Sequence, residues 1–315
     1  MSEWLVGVDA GGTNTRAAAL DPDTGARAGG AAEGANWTVH GPELCRERIE
    51  RAVAAALPAR EAPAALCLCM AGYYPPDHGE AVRRWAAEIW PGARVRVETD
   101  VAAAWAGALG GRPGMVVISG TGSIAYGRDE GGREWRAGGW GPLFDDEGSA
   151  YRVGLRCLQR LAYGVDRQAE PGPLAAALLA RWPELGSDLR GWLRGVYRCA
   201  WGREQVAEVA GEVVRLSGTD PDARMLLEEA AERLAGLADT VREVLRLDPA
   251  RVALVGGLGA NSVVLREAFA AAIAHRSPAL HLVDARFSPV EGALLLAAEA
   301  GGGAAALRRV LGLLA

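Results

Sequence analysis

The sequence predicts an α/β fold of two similar domains, with a cleft between them and a helical insertion in the second domain. A strand, a glycine-rich turn, a second strand, an acidic turn and a third strand begin the chain. The same series returns 110 residues later, the distance from Asp9 to Ser119. A repeat of this length indicates a duplicated fold rather than a short solenoid repeat. The length of 315 residues also exceeds what one hydrophobic core usually serves.

The first domain is expected to span residues 1–113. Short apolar runs indicate its strands, and apolar residues spaced three and four apart indicate its helices. The predicted strands are 4–8, 16–20, 28–34, 64–70 and 95–99, and the predicted helices are 42–57, 79–90 and 101–109. The segment 71–76 ends in two prolines and is expected to be a loop.

The second domain is expected to span residues 114–315, with the C-terminal helix near 305–315 packed back on the first domain. Residues 150–250 are almost continuously helical in pattern, with leucine and alanine stripes that are typical of core faces. The other predicted elements are strands at 116–118, 124–127, 251–255 and 280–283, a glycine turn at 256–261, a helix at 262–274 and a long final helix. The small residues Gly292 and Ala293 suggest a helix crossing that acts as a hinge between the domains.

Both copies of the repeat place backbone with small side chains directly after a buried strand. The first turn reads Asp9-Ala-Gly-Gly-Thr-Asn-Thr15 and the second reads Ser119-Gly-Thr-Gly-Ser123. The backbone N–H groups of such turns can close around an anionic oxygen. An ordinary hairpin turn explains either one taken alone, but two of them at a shared cleft are suited to hold a polyphosphate. The third glycine turn, 256–261, enters a helix N-terminus, which favours contact with a nucleotide.

Asp100 follows a predicted strand and opens an alanine-rich helix. Open α/β sheets place their chemistry at the C-terminal ends of their strands. The sequence therefore offers this carboxylate as a catalytic group, and an N-cap role for the same side chain is the alternative.

The composition limits the partners and the chemistry. A net charge of -5 and a pI near 5.6 give no basic face for nucleic acid. The sequence contains no lysine, so its 34 basic residues are all arginines. A P-loop lysine is thereby excluded, and any nucleotide phosphates must be met by backbone, arginine and a metal ion.

The five cysteines lack the spacing of a disulfide framework or of a metal site. Cys67 and Cys69 alternate within an apolar run, so we expect them on one buried face of a strand. No charged leader precedes the first strand at Trp4, and no stretch is expected to reach the length of a membrane span. The sequence therefore predicts a cytoplasmic protein.

Five motifs in order resemble the sugar kinase, Hsp70 and actin superfamily of ATPases. DAGGTNT at 9–15 is similar to its first phosphate motif, ISGTGS at 118–123 to its second, and LVGGLGAN at 254–261 to its adenosine motif. ETDVAAAWAG at 98–107 and PVEGALLLAA at 289–298 resemble its two connecting helices. The resemblance implies a pair of ribonuclease H-like, actin-like ATPase domains.

Two further motifs narrow the resemblance within this superfamily. NWTVHG at 36–41 and GGWGPLFDDEGSAYRVG at 138–154 resemble the BadF/BadG/BcrA/BcrD-type ATPases and their N-acetylglucosamine kinase-like branch. The implied function is ATP-dependent phosphorylation of an amino-sugar hydroxyl, with N-acetylglucosamine 6-phosphate as the first expected product.

The resemblance also implies a role for each matching residue. Asp100 would be the catalytic base, and Asp9 would hold Mg²⁺ through water. The residues that would bind ATP are Gly11, Gly12, Thr13, Asn14, Gly120, Thr121, Gly256, Gly257, Gly259 and Asn261. The residues that would bind the sugar are Asn36, Trp37, Asp100, Thr121, Gly122, Gly139, Trp140, Gly141 and Asp146. These roles agree with the needs of phosphoryl transfer, a base for the attacking hydroxyl and neutralisation of the transferred charge.

Simpler readings of three motifs stay open. Trp140 fits a core position, the acids at 145–147 favour the N-terminus of the next helix, and Asn36 fits a turn cap. The stretch Pro142–Asp145 and the loop Tyr73–Pro76 depart from the N-acetylglucosamine kinases, which leaves the substituent at the sugar C2 open. Glucosamine and N-acetylmuramic acid are therefore the alternative acceptors.

Two other classes of protein share the fold. An ATPase activator of 2-hydroxyacyl-CoA dehydratases or benzoyl-CoA reductases carries cluster-ligating cysteines, and this sequence lacks their spacing. A non-catalytic sugar-sensing regulator normally needs an appended DNA-binding segment, which we do not expect ahead of Trp4. The expected partners are a small-molecule sugar and a second copy in a homodimer, with neither nucleic acid nor a membrane.

Overall fold

A computed structural model of the chain describes residues 3–58 and 61–315. The strands are β1 Leu5–Ala10, β2 Asn14–Leu20, β3 Arg27–Glu33, β4 Ala65–Met70, β5 Arg94–Thr99, β6 Gly114–Ser119, β7 Ser123–Arg128, β8 Glu134–Gly138, β9 Ala250–Val255 and β10 Leu280–Val283. The α-helices are α1 Trp37–His40, α2 Pro42–Ala56, α3 Pro75–Ile89, α4 Asp100–Leu109, α5 Ala150–Asp166, α6 Pro173–Arg181, α7 Leu189–Arg198, α8 Arg203–Leu216, α9 Pro221–Leu245, α10 Gly257–Asn261, α11 Val263–Arg276 and α12 Pro289–Leu314.

The strands form two sheets of the same design. One sheet has the order β3-β2-β1-β4-β5, and the other has the order β8-β7-β6-β9-β10. In each sheet the three strands that come first in sequence pair antiparallel, each with the next. The fourth strand pairs parallel with the first, and the fifth pairs parallel with the fourth. The predicted α/β fold and its duplication are therefore confirmed.

The chain divides into two compact units. The first runs to Arg112 and includes Asp284–Ala315, and the second is Pro113–Val283. The whole C-terminal segment belongs to the first unit, whereas the sequence predicts this only for residues near 305–315. The reason lies in α12, because Leu294 and Leu295 are buried in one apolar cluster with strand residues such as Leu5.

Helix α12 meets its neighbours backbone to backbone. A Cβ added to Gly7 of β1 would lie 2.1 Å from the Leu294 nitrogen, and one added to Gly292 would lie 2.0 Å from the Ala103 oxygen of α4. Only glycine allows such approaches. The predicted helix crossing at Gly292 thus lies inside the first unit, and its role as a hinge stays a prediction.

The two faces of the first sheet are buried by different helices. The face that carries Val8 and Leu68 packs with Ile49 of α2 in a second apolar cluster. Cys67 and Cys69 are buried on the opposite face, with their sulfur atoms 3.6 Å apart. Their predicted place on one face of a strand is therefore confirmed.

The helices α5 to α9 share one apolar core with the sheet of the second unit, in which Leu234 clusters with Met115 and Val252. The predicted breaks near 164–173, 183–187 and 217–221 fall between helices. A further break at 199–202, between α7 and α8, is not predicted, because the sequence there has no proline and no apparent turn motif. A Cβ added to Gly154 of α5 would lie 1.9 Å from the Val206 oxygen of α8. These two helices therefore cross in close contact.

Three local predictions are wrong. Pro75 and Pro76 open α3 instead of ending a loop, because proline is well tolerated in the first turn of a helix. Residues 257–261 form the short helix α10 rather than an irregular turn. The final helix is interrupted at Gly302 and Gly303, whose backbone angles are not helical.

Among the described residues, α12 is long and apolar enough to cross a membrane by length and composition alone. The expectation that no segment reaches the length of a membrane span is therefore wrong. Leu294, Leu295 and Ala298 of this helix are buried inside the first unit. Packing in the core accounts for an apolar helix of this kind.

Candidate active site

Two carboxylates lie near the C-terminal edge of the first sheet. Asp9 is the last residue but one of β1, and Asp100 directly follows the parallel strand β5. The pKa of Asp9 is raised to about 6, first by burial and then by the negative charge of Asp100, while Arg16 opposes the change. Burial also raises the pKa of Asp100, against a hydrogen bond from the Val101 N–H to Asp100 Oδ1 at 3.0 Å. The unit thus holds two poorly solvated acids that repel each other.

The alternative reading of Asp100 as an N-cap does not fit the geometry. Thr99 occupies the N-cap position of α4, and Asp100 is the first residue of the helix. Its carboxylate contacts the adjacent N–H of Val101 rather than the amides two or three residues further on. Helix capping therefore gives no sufficient reason for an aspartate here.

The first glycine turn is closed by its own backbone. The Gly11 N–H donates to the Asn14 oxygen at 2.9 Å, and Gly12, Thr13 and Asn14 are exposed. A Cβ added to Gly34 would lie 2.0 Å from the Gly12 oxygen, so the segment after β3 lies directly against the turn. The turn offers exposed backbone donors beside the carboxylate of Asp9.

Asn36 and Trp37 follow this contact. Asn36 Oδ1 accepts hydrogen bonds from the backbone N–H groups of Thr38 and Val39, at 3.1 and 3.2 Å, which makes Asn36 the N-cap of α1. The turn-cap reading of Asn36 is therefore confirmed. Trp37 is buried, and its ring stacks on His78 with centroids 5.3 Å apart.

The second glycine turn is fixed from outside by the segment that leads into α5. The N–H of Ala150 donates to the Gly120 oxygen at 2.8 Å. The hydroxyls of Ser119 and Ser123 donate to the carbonyls of Gly148 and Glu147, each at 2.7 Å. For brevity we call residues 119–123 the second phosphate loop, because they match the second phosphate motif.

Asp146 is the side chain that joins this loop to the helical segment. Its Oδ1 accepts from the Ser123 N–H at 3.2 Å, and its Oδ2 accepts from Arg203 Nη2 at 2.8 Å. The residue is only 2% exposed and has a positive φ of 62°. Ser149, not one of the acids before it, caps α5. The interpretation that the acids at 145–147 favour the N-terminus of α5 stays a prediction.

Sequence reasoning missed Arg203. It lies 57 residues from Asp146 along the chain, inside a helical stretch that has no motif of its own. The sequence offered one indication, since it contains no lysine and a positively charged side chain near phosphate must therefore be an arginine. It did not indicate which arginine.

The segment Gly139–Gly141 presents an exposed aromatic side chain. Gly139 and Gly141 have positive φ angles of 73° and 94°, and Trp140 between them is 64% exposed. The Trp140 N–H donates to Asp145 Oδ2 at 2.9 Å, and the Arg136 guanidinium lies 5.0 Å from the centre of the Trp140 ring. The reading of Trp140 as a core residue is therefore wrong.

The glycines after β9 pack on the second phosphate loop. Gly256 has a φ of 92°, and a Cβ there would lie 2.5 Å from the Ser119 oxygen. Gly259 is buried, and Gly257 and Asn261 are exposed, with Asn261 Nδ2 donating to the Gly257 oxygen at 2.7 Å. The second unit thus brings the predicted phosphate and adenosine motifs into contact.

The chemistry of these residues fits ATP and a divalent cation. A cation placed near Asp9 and Asp100 would relieve the repulsion that contributes to the raised pKa of Asp9. Backbone N–H groups in small-residue turns are donors for phosphate oxygens. The described residues hold no cluster of three or more metal-ligating side chains, so the carboxylates of the first unit are the oxygen ligands on offer to a cation. The turns of both units offer backbone amides to phosphate oxygens.

Two sheets of equal order, each with a glycine turn after its first strand, define the class of the sugar kinase, Hsp70 and actin ATPases. The sequence-based assignment to this class is confirmed. The chain belongs to the BadF/BadG/BcrA/BcrD ATPase family, whose model matches residues 6–297.

Individual relatives cover most of the chain. An N-acetylmuramic acid/N-acetylglucosamine kinase of Clostridium acetobutylicum is 29% identical over 239 residues, which are 74% of this chain and 76% of that protein. An N-acetyl-D-glucosamine kinase of Dictyostelium discoideum is 26% identical over 313 residues, which are 94% of this chain and 98% of that protein. A crystal structure from Chromobacterium violaceum, described as that of a candidate N-acetylglucosamine kinase, is 30% identical, with a TM-score of 0.73, and the match covers 94% of this chain and 99% of that one.

Proposed function

We propose that the protein is an ATP-dependent amino-sugar kinase that converts N-acetylglucosamine to N-acetylglucosamine 6-phosphate. The observation that carries the proposal is Asp100, a carboxylate at the end of β5 whose pKa burial raises and which helix capping does not explain. The names of the relatives from Clostridium acetobutylicum and Dictyostelium discoideum support the substrate class.

Asp100 acts as the general base in this proposal. A carboxylate with a raised pKa is a stronger base than an ordinary one. It accepts the proton of the sugar hydroxyl as the hydroxyl oxygen attacks the γ-phosphorus of ATP. The proton moves to Asp100, and ADP leaves with the bonding electron pair.

The nucleotide is held by the family's phosphate and adenosine motifs. ATP use follows from the family, and the finer assignment is our proposal. The residues assigned to it are Gly11, Gly12, Thr13, Asn14, Gly120, Thr121, Gly256, Gly257, Gly259 and Asn261. Asp9 would hold Mg²⁺ through water, and the ion would supply neutralisation of the phosphate charge.

The sugar is assigned to Asn36, Trp37, Asp100, Thr121, Gly122, Gly139, Trp140, Gly141 and Asp146. Because Asn36 Oδ1 is engaged in the cap of α1, its amide nitrogen is the part that donates to a sugar oxygen. The exposed Trp140 ring is suited to stack on the apolar face of a pyranose.

N-acetylmuramic acid is the second candidate acceptor. The name of the Clostridium acetobutylicum relative includes this sugar. Next to Trp140, Leu143 is 88% exposed and Phe144 is 72% exposed, so apolar surface is available for a larger substituent. A homodimer and a cytoplasmic location stay predictions.

A coupled ADP-release assay tests the proposal. The panel comprises glucose, glucosamine, N-acetylglucosamine, N-acetylmuramic acid and N-acetylmannosamine, each with ATP and Mg²⁺. We expect the highest kcat/KM with N-acetylglucosamine. Hydrolysis of ATP that no sugar stimulates would contradict the kinase proposal and favour an ATPase activator.

A further inference from the structure

Arg203 lies against the second phosphate loop. A Cβ added to Gly122 would lie 2.4 Å from Arg203 Nη2 and 2.8 Å from Asp146 Oδ1. Both members of the ion pair therefore touch the loop at the same glycine. The Nε–H of Arg203 is buried and has no hydrogen-bond partner within the part of the chain that the structure describes.

The position of Arg203 is set by the crossing of two helices. Arg203 is the first residue of α8, and Val206 lies one turn further on. The Val206 carbonyl packs on Gly154 of α5 so closely that a methyl group there would lie 1.9 Å from its oxygen. The N-terminus of α5 in turn donates the Ala150 N–H to the loop at Gly120. The arginine and the loop are thus fixed to the same helix.

The buried carboxylate of Asp146 lies beside the second phosphate loop, where its negative charge opposes the binding of phosphate groups. Asp146 is 2% exposed and bonds directly to the Ser123 N–H, so water does little to screen its charge. An unpaired negative charge at this position would repel phosphate groups at the loop. Arg203 removes most of that repulsion by pairing with the carboxylate at 2.8 Å.

We propose that Arg203 is a positioning residue that neutralises Asp146 and thereby makes the second phosphate loop able to bind nucleotide phosphates. The inference rests on the proposed function, since it concerns the nucleotide site of that kinase.

The test compares ligands that differ only in phosphate charge. Arg203→Met leaves Asp146 buried and unpaired, and calorimetry measures the binding of adenosine, ADP and ATP. We expect the Kd for ATP to rise by about 10- to 100-fold, because an uncompensated negative charge near the loop repels phosphate groups. The Kd for ADP rises less, and that for adenosine changes less than about twofold. Arg215→Met, on the same helix in an exposed pair with Glu212, is the matched control and leaves all three affinities unchanged.

Two further variants keep the inference testable if Arg203→Met folds poorly. Adding Asp146→Asn to Arg203→Met removes the unpaired charge and keeps an oxygen that can accept from the Ser123 N–H, so most of the ATP affinity returns. Arg203→Lys keeps the positive charge and loses less ATP affinity than Arg203→Met.

An equal loss for adenosine and ATP, or no recovery in the double variant, would overturn the inference. Failure of the unaltered protein to bind ATP would overturn both this inference and the kinase. Nucleotide binding without sugar-stimulated turnover would overturn the kinase alone.

Discussion

The two glycine turns follow equivalent strands of equivalent sheets, yet they are held in different ways. The turn after β1 is closed by the Gly11 N–H to the Asn14 oxygen, and the Ala35 N–H donates to the Gly11 oxygen. The turn after β6 has matching backbone bonds, from the Gly120 N–H to the Gly122 oxygen and from the Ala150 N–H to the Gly120 oxygen. It adds the carboxylate of Asp146 and the hydroxyls of Ser119 and Ser123. The sheet therefore fixes where a turn occurs, and the segment before α5 adds side-chain contacts to the second turn.

The charges beside the two turns differ in the same way. In the first unit, burial raises the pKa of both Asp9 and Asp100, and nearby positive charge and hydrogen bonds do not offset this rise. In the second unit the buried Asp146 is paired with Arg203. Duplication thus supplied two similar scaffolds, one suited to a base and a cation and the other to phosphate oxygens.

The largest expected effect is on catalysis in the first unit. Asp100→Asn retains the size of the side chain but cannot accept the hydroxyl proton, so kcat should fall by about 10²- to 10⁴-fold. The free energy of unfolding should not fall, because a poorly solvated carboxylate is replaced by a neutral amide. Coupled ADP release and urea unfolding measure the two quantities. Asp77→Asn, an exposed acid in the first turn of α3, is the matched control. Retained turnover in a well-folded Asp100→Asn protein would rule out the base.

The next effect compares helix packing in the two units. Gly292→Ala should lower the free energy of unfolding by about 1–3 kcal/mol, because its methyl group would lie 2.0 Å from the Ala103 oxygen. Gly236→Ala in α9 has no atom within 4 Å of its new methyl group and should raise stability by about 0.5–1 kcal/mol. Urea unfolding of both variants checks the pair. No loss of stability in Gly292→Ala would mean that α12 and α4 are not in backbone contact.

The pH dependence of stability sharpens the contrast between the carboxylates. The pKa of Asp9 is about 6 in the folded protein and 3.8 in the unfolded chain, so folding favours its protonated form. The charged form costs stability above about pH 6, and this cost disappears as the pH falls toward 4. Asp9→Asn should therefore stabilise the protein at pH 7 by about 1–2 kcal/mol, after allowance for partial exposure, and by almost nothing at pH 4.

Thermal unfolding between pH 4 and 8, in a chelator that removes divalent cations, measures this difference. Added Mg²⁺ should narrow the gap at pH 7, because it stabilises only the unaltered protein. Parallel pH profiles for the two proteins would show that Asp9 is not perturbed by folding.

The smallest expected effect concerns the cap beside the first turn. Asn36→Ala should cost about 1 kcal/mol of stability, because the N–H groups of Thr38 and Val39 lose their acceptor. Asn36→Asp retains the cap but lacks the amide donor, so it should keep stability and raise the KM for the sugar. A stability of Asn36→Ala equal to that of the unaltered protein would remove the capping role.

Much of the fold was predictable because local patterns carry it. Alternating and continuous apolar runs locate most strands of both sheets, and the repeated glycine turns show that the sheets are copies. The positions of Asp9 and Asp100 at strand ends follow from the same patterns. The errors lie where local signals are ambiguous, as at Pro75, since proline is common both in loops and in the first turn of a helix.

By itself the sequence determined the fold class, the duplication and the candidate carboxylates, because strand periodicity and glycine turns are properties of neighbouring residues. Only the tertiary structure decided that α12 packs on the first sheet, that Asp146 is buried and engaged on both oxygens, and that Arg203 pairs with it. Those contacts join residues far apart in the chain. Their energy comes from burial and close approach in three dimensions, which no local pattern encodes.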